Sequence, residues 1–506
     1  MSRHTSILPA TLLLLALAGC GQNAMQTAAN GAPIATPALR AADGSSNIVP
    51  GRYIVVYTNG TIPPSAAANA AQAGAQVVAS LTGLGLSVQQ TAGADDATTL
   101  AALAAQPGVE YVLHDRYVEG HQAAVAPMPP TGIAPTLPID PPSTSDAFYN
   151  SPQGWAVIQA GGYGAGIPGG PSTGPWTTTQ GRGVRIAILD SGVDANHPDI
   201  APNLALNLSE IDQSALPSAC DDGTPQDQQG HGTWTASLAT GAAGPNTGGV
   251  IGVAPQATLL NIKVLERIPA TDGATLAVQC SAGQTGGLLS WVLQGINDAI
   301  ANHADVISFS LGSIVDLNSG DGAGWKASFD RVTHAAFLAN VVLVAAVGND
   351  GLDLSAGRYI ELPAQARDVL PVVASTNPAC AENLTTGATC AAGPVTRAHY
   401  SSYGSTLNAI AAPGGSYPNA SATGISGFVR GACSTSGCFN LGNTPYVQAI
   451  GTSASAPLVA GAAALLHAAH PAWTSAQIVA ALRSSATQAT TMTEPELNTA
   501  AALALQ

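Results

Sequence analysis

Charge is scarce in this chain. Only 9% of its 506 residues are Asp, Glu, Lys or Arg, and acids outnumber bases 30 to 15, for a net charge of −15. So few cations leave no basic footprint for nucleic acid. Long runs of one sign are missing too, which excludes an acidic tail protein. There is no H-E-x-x-H, so a catalytic metal is disfavoured. No C-x2-C pair or paired His spacing supports a zinc cluster. Ser453 sits in G-T-S-A-S and not in the G-x-S-x-G elbow of esterases and lipases. What is present is apolar bulk: 46% hydrophobic residues, enough for a sizeable core, with 56 Gly and 35 Pro marking many turns. At roughly 150 residues per domain the length allows about three domains, or one large α/β domain and a small one.

The N-terminus carries Arg3 and His4 before the apolar run ILPATLLLLALAG. That run is too short to span a bilayer comfortably and resembles a signal-peptide core. It ends in Leu17-Ala18-Gly19-Cys20, similar to a bacterial lipoprotein cleavage site with Cys20 as the lipidated residue. The expectation is an exported chain, lipid-anchored at the cell envelope as a precursor. Six further Cys remain, an even number that suggests disulfides in an oxidising compartment. Cys380–Cys390 and Cys433–Cys438 are plausible local bridges, leaving Cys220–Cys280; other connectivities stay open.

Composition divides the chain into a signal segment at 1–19, a small-residue tether at 20–46, an α+β unit at 47–120, a Pro-rich linker at 121–145 and a large domain at 146–506. In the small unit, RYIVVYT, GLSVQQT and VEYVLHD read as strands, and SAAANAAQAGAQVVASL and DATTLAALAAQ as helices. In the large domain the apolar strands RIAILD, TLLNIKVL, DVISFSL, VVLVAAV and DVLPVVAS alternate with helical stretches. Continuous apolar strands between helices predict a parallel sheet covered on both faces, with functional groups at the strands' carboxyl ends.

Chemistry-bearing residues fall there. RIAILD ends in Asp190; GHGTWTAS places His231 between glycines; VVLVAAVGND delivers Asn349 just past a strand; GTSASAPLVAG puts Ser453 at a helix start. Ser, His and Asp are the parts of a nucleophilic hydrolase. The segments ILDSGVDANHPD, GHGT, GVAP, SFSLGS, VAAVGND and GTSASAPLVAG, in this order, resemble the signatures of subtilisin-like serine proteases. The likeness runs from about 148 to 506, and 47–120 is similar to that family's inhibitor-like propeptide.

The resemblance implies a three-layer αβα domain with a mainly parallel sheet, preceded by a small α+β propeptide acting as intramolecular chaperone and inhibitor. It implies a serine endopeptidase acting on proteins or peptides, needing no cofactor for catalysis, self-processed to a mature extracellular or periplasmic enzyme. Asp190 would orient the imidazole, His231 would act as base and then acid, and Ser453 would attack. The Asn349 amide and the Ser453 N–H would bind the oxyanion, and Ser310-Leu311-Gly312 would pair with substrate backbone. Trp234 stands where the family usually has a second His, and Ala454-Ser455-Ala456-Pro457-Leu458 replaces its usual residues. The stretch 415–446 reads as a surface insertion. A structural calcium is expected at Asp199 with Asn246, while His197 reads as a structural histidine. In GRYIELPAQARDV, Pro363 matches a family Pro beside the pocket for the residue preceding the cut. Glu361 would then lie near the pocket floor and Asp350 near its rim; both also fit solvated loop acids. A catalytically inactive binding lipoprotein on the same fold is the alternative reading.

Overall fold

A computed structural model describes residues 47–92, 97–121, 124–127, 154–160, 174–243, 249–376, 395–416 and 427–506. Cys20, the tether, most of the linker, Cys380, Cys390 and Asn246 lie outside the described residues.

The small unit is built from β1 (Ile48–Tyr57), α1 (Ala66–Gln72), β2 (Ala75–Leu81), β3 (Leu86–Thr91), α2 (Ala97–Ala104) and β4 (Val109–Gly120). Its strands pair antiparallel in the order β4-β1-β3-β2. The helix expected over SAAANAAQAGAQVVASL stops at Gln72. Gly74 adopts φ +76°, a left-handed conformation that ends helices. Beyond it Ala75, Val77, Ala79 and Leu81 turn inward while Gln76, Val78 and Ser80 face out. High alanine content favours helix, but this period-2 burial against β3 decides the outcome.

The linker also starts with structure: β5 (Ala124–Pro127) pairs antiparallel with the later strand Tyr446–Ile450, so its first residues are not a loose connection. The large domain continues with α3 (Trp155–Gln159), β6 (Arg185–Asp190), β7 (Leu204–Ser209), α4 (His231–Thr240), β8 (Thr258–Lys263), β9 (Leu265–Ile268), α5 (Leu276–Ser281), β10 (Gln284–Leu288), α6 (Leu289–Ala301), β11 (Val306–Phe309) and β12 (Leu311–Asp316). There follow α7 (Gly322–Leu338), β13 (Val342–Ala346), β14 (Tyr359–Leu362), β15 (Val369–Thr376), β16 (Thr396–Arg397), β17 (Ile410–Pro413), β18 (Val429–Ala432), β19 (Tyr446–Ile450), α8 (Thr452–Ala469), α9 (Ser475–Ser485) and α10 (Thr499–Leu503).

The main sheet runs β17-β15-β13-β11-β6-β8-β7, every neighbour parallel, with the short β16 antiparallel at the end of β15. Alternate residues feed opposite cores. Ile186, Ile188, Val344 and Val372 pack with residues of α4 and α8. Ala187, Leu189, Leu343 and Val373 pack with residues of α6 and α7. This is the expected three-layer αβα arrangement. Helix α8 is apolar enough to cross a membrane, but 83% of it is buried inside the domain.

The small unit docks on the second core. Its Ile54, Val56, Leu86, Leu113 and Val118 join the cluster that contains Trp291 and Trp325. Polar contacts fix its position. Asp115 Oδ1 accepts from the Ser290 N–H at the start of α6 (3.0 Å), and Oδ2 accepts from Arg52 Nε (3.0 Å). Asp321, beside the start of α7, accepts from the His114 N–H at 3.2 Å. Arg331 donates to the Tyr57 carbonyl at 2.9 Å. Asp115 thus caps a helix of the large domain and neutralises an Arg52 that is only 2% exposed. Replacing Asp115 by Ala leaves a buried guanidinium and an uncapped helix. In the uncut Ser453→Ala chain we expect a loss of about 3 kcal/mol, read by urea unfolding; a change below about 0.5 kcal/mol would contradict this role.

Candidate active site

The carboxyl end of β6 presents Asp190, the first residue of α4 is His231, and Ser453 lies in the first turn of α8. All three are fully buried. His231 Nδ1 lies 2.6 Å from Asp190 Oδ1, and Nε2 lies 2.9 Å from Ser453 Oγ. A buried carboxylate needs donors. Asp190 has them: the Ser191 N–H reaches Oδ1 at 2.7 Å and Thr235 Oγ1 reaches Oδ2 at 3.1 Å. With Nδ1–H donated to Asp190, Nε2 is the acceptor facing the hydroxyl, the tautomer that can take its proton.

Asn349 follows β13 and faces the start of α8. Its Oδ1 accepts from the Thr452 N–H at 2.9 Å and from Thr452 Oγ1 at 3.0 Å. These bonds fix the amide orientation and leave Nδ2 buried with no partner among the described residues. A buried, unpaired N–H beside a hydroxyl nucleophile is suited to a negative oxygen. The other hydroxyls are structural: Ser455 Oγ donates to the Ala412 carbonyl at 2.8 Å.

Several positioning groups were not singled out in the sequence. Asp227, fully buried, accepts from the Gly230 N–H at 2.7 Å, the Thr233 N–H at 2.9 Å, Thr233 Oγ1 at 2.6 Å and Ser191 Oγ at 3.0 Å. It ties the start of α4, and so His231, to the segment after Asp190. Behind the imidazole, Trp234 and Phe439 pack edge-on at centroid distances of 5.9 and 6.4 Å. Phe439 adjoins the Cys433–Cys438 disulfide, both of whose cysteines are buried. The expected surface insertion is therefore partly an inner wall. Gly230, at φ +108°, has no room for a side chain, because a Cβ would stand 2.7 Å from Cys433 Sγ. Cys220–Cys280 forms the other disulfide among the described residues.

The cleft in front of Ser453 is filled by the chain's own β4. Glu119 pairs with Gly286 of β10 on one side and with Gly312 of β12 on the other. Ser310, Leu311 and Gly312 thus lie along the end of β4 and His121. Next along, the His121 N–H donates to the Ser310 carbonyl at 2.9 Å, and the His121 carbonyl accepts from the Ser453 N–H at 3.2 Å. The His121 side chain enters a pocket where Nε2 lies 3.2 Å from Glu361 Oε1. Glu361 is 1% exposed, so it is not a solvated loop acid. Burial pushes its carboxyl up, opposed by the charge of His121. Burial alone would lower the His121 imidazole, but Glu361, with Asp350 and Glu119, turns the net shift upward. Asp350 is exposed at the mouth and adds to that upward pull on His121.

His197 is structural, with Nε2 2.8 Å from the Pro445 carbonyl and Nδ1 accepting from the Asp199 N–H at 3.1 Å. Asp199 accepts from the Gly249 and Val250 amides at 3.2 and 3.1 Å. Among the described residues no group of three or more His, Cys, Asp or Glu could hold a metal ion. Asn246, the other residue of the expected calcium site, lies outside the described residues.

A parallel α/β sheet with a buried Asp–His–Ser relay at its carboxyl edge defines a serine-hydrolase class of site. The chain belongs to the subtilase family (peptidase S8), whose profile matches residues 181–501. It is 33% identical over 309 residues to subtilisin NAT of Bacillus subtilis subsp. natto, covering 61% of this chain and 61% of that protein. It is 33% identical over 307 residues to the subtilisin of Bacillus pumilus, covering 61% of this chain and 85% of that protein. Among solved structures, fervidolysin from Fervidobacterium pennivorans superposes with a TM-score of 0.61 at 20% identity, over 91% of this chain and 62% of that one. The epidermin leader peptide processing protease EpiP of Staphylococcus aureus superposes with a TM-score of 0.62 at 19% identity, over 90% and 98%. These two likenesses concern the fold.

Asp227 gives this subsection its test. Asp227→Ala strips the acceptor from several buried donors, each costing about 1–3 kcal/mol when left unmade. We expect a destabilisation of at least about 3 kcal/mol in urea unfolding of the Ser453→Ala chain. A stability within about 0.5 kcal/mol of the parent would overturn the assignment.

Proposed function

We propose that this chain is the precursor of an exported serine endopeptidase that processes itself. The observation that carries the reading is the continuous Asp190–His231–Ser453 relay beside an unpaired Asn349 amide. In this reading the Ser453 hydroxyl attacks the substrate carbonyl as His231 Nε2 takes its proton. Asp190 holds the imidazole in place and stabilises its charged form. The Ser453 N–H and Asn349 Nδ2 bind the oxyanion. His231 then gives the proton to the leaving amine, and water, activated by the same imidazole, hydrolyses the acyl-enzyme. Ser453, His231, Asp190 and Asn349 need no metal for these steps.

Residues 47–120 act as a folding aid and as the first inhibitor, since β4 fills the cleft in the manner of a substrate. Cys20 lies on the N-terminal side of this unit, so a cut after it would leave any lipid with the propeptide and release the enzyme. In this reading the lipid attachment at Cys20 is the anchor that the cut removes.

Expressed in a protease-deficient host, the parent chain should appear as a shortened, fluorophosphonate-labelled, casein-degrading enzyme, while Ser453→Ala should stay full length and unlabelled. A parent chain that neither labels nor shortens would favour the inactive binding lipoprotein. Asn349→Ala should lower kcat/KM by about 10²–10³, the magnitude found for such an amide in subtilisin itself; a change under threefold would remove Asn349 from the oxyanion site. On fractionation, precursor should sediment with membranes and mature enzyme should be soluble. Mature enzyme on membranes without its propeptide would refute release.

A further inference from the structure

We infer that the enzyme cuts after a Gly-His pair, first at its own His121, with Glu361 selecting a cationic imidazole for the residue whose carbonyl is attacked and Thr285 rejecting any side chain on the residue before it. The inference rests on the reading of the chain as a self-processing endopeptidase.

Register comes first. Glu119 is paired with both Gly286 and Gly312, the His121 N–H is held by the Ser310 carbonyl, and the His121 carbonyl meets the Ser453 N–H. These contacts place the carbonyl of His121, the residue just after β4, at the nucleophile. Attack there moves the Ser453 proton to His231 and forms a Ser453–His121 ester. Breaking the peptide bond passes that proton to the Gln122 nitrogen. Water then releases His121 with a free carboxylate.

The pocket beyond is narrow and acidic. Glu361 on β14 meets the imidazole directly, and Asp350 and Glu119 add negative charge around it. Arg116 of β4 also acts on Glu361, with its Nη2 donating to Ser313 Oγ and the Ile314 carbonyl, each at 2.9 Å, but it lies on the propeptide side of His121 and leaves the pocket when that segment departs. Glycines form the walls. A Cβ on Gly312 would stand 2.2 Å from Glu361 Oε1 and 2.7 Å from His121 Cε1, and one on Gly348 would stand 3.1 Å from Glu361 Oε2. A Phe or Leu side chain would leave a buried carboxylate without a partner, which is costly. An imidazolium supplies one.

The preceding residue is constrained more simply. The Gly120 N–H donates to Thr285 Oγ1 at 3.1 Å. A Cβ on Gly120 would lie 2.4 Å from that oxygen and 3.3 Å from His231 Cε1. Thr285 is β-branched, buried and short, so it cannot swing clear as a long side chain would.

The sign of the pH effect follows. A free histidine titrates near pH 6.5, and its bound form is shifted up, so below about 6.5 the pairing is present wherever Glu361 is ionised, and it is lost as pH rises through the bound value of the imidazole. An arginine keeps its charge throughout.

The test uses mature enzyme, its active sites counted by fluorophosphonate titration, on Val-Glu-Gly-His-Gln-Ala peptides in which His is changed to Arg or Phe, or Gly to Ala. At pH 5.5 we expect kcat/KM for His to exceed that for Phe by about tenfold or more. The His-to-Arg ratio, from which titration of His231 cancels, should fall about tenfold or more by pH 8.5. Glu361→Gln should flatten both ratios. The Gly-to-Ala peptide should lose about tenfold, and Thr285→Ala should restore it. The propeptide released during maturation should end at His121 by mass. A Phe peptide cut as well as the His peptide, ratios unmoved in Glu361→Gln, or a propeptide ending elsewhere would each overturn the inference. Because casein digestion and fluorophosphonate labelling report the activity itself, their loss would count against the endopeptidase reading instead.

Discussion

A single buried imidazole, with a carboxylate at one nitrogen and a hydroxyl at the other, is the constraint around which this structure is arranged. Its partners come from far apart: Asp190 lies 41 residues before His231 and Ser453 lies 222 after it. Only a rigid frame can hold three such segments to hydrogen-bond tolerance. The parallel sheet supplies it, with Asp190 at one strand end and Asn349 just past another, and with the starts of α4 and α8 packed beside them. In a chain with only 9% charged residues, several of those charges are buried next to this frame. Lys263, for example, is fully buried and held by Asp221 at 2.7 Å and by the Gln226 carbonyl at 2.9 Å. Such a pair adds little net stability, but breaking it is expensive, so it fixes the loop that carries Asp227.

The second organising fact is that the N-terminal unit touches the nucleophile. Its sheet shares a hydrophobic core with α6 and α7, and its last strand ends against Ser453. Docking and blocking are therefore one event. The same hydrogen bonds that seat β4 between β10 and β12 also set which carbonyl faces the hydroxyl.

Much of the catalytic domain was legible in the sequence because its signals are local. Each apolar strand reads as a continuous run, and Asp190, His231, Asn349 and Ser453 each sit at the boundary of such a run. Glu361 was legible only as one of two options, since its side chain is inward or outward depending on a loop that sequence does not position. Asp227 was missed because its donors, Ser191, Gly230 and Thr233, come from two separate segments that only the fold gathers around it. Thr285 matters only because the fold brings it against Gly120, 165 residues away. The region 75–81 was misread because its alanines resemble those of the preceding helix, and only pairing with β3 reveals a strand. His121 was counted as the first residue of the linker; nothing in its neighbourhood marks it as the residue that ends inside the pocket.

The end of strand β4 occupies a gap one strand wide, paired with the edge of β10 on one side and of β12 on the other. Once that strand departs, the gap can be refilled only by another chain in extended form, with hydrogen-bonding groups free on both edges. A helix cannot enter, and neither can a strand already paired within a sheet. The proposed mature enzyme would thus detect local unfolding before it reads side chains: stably folded neighbours would be spared, and tails, linkers and damaged segments would be open to it.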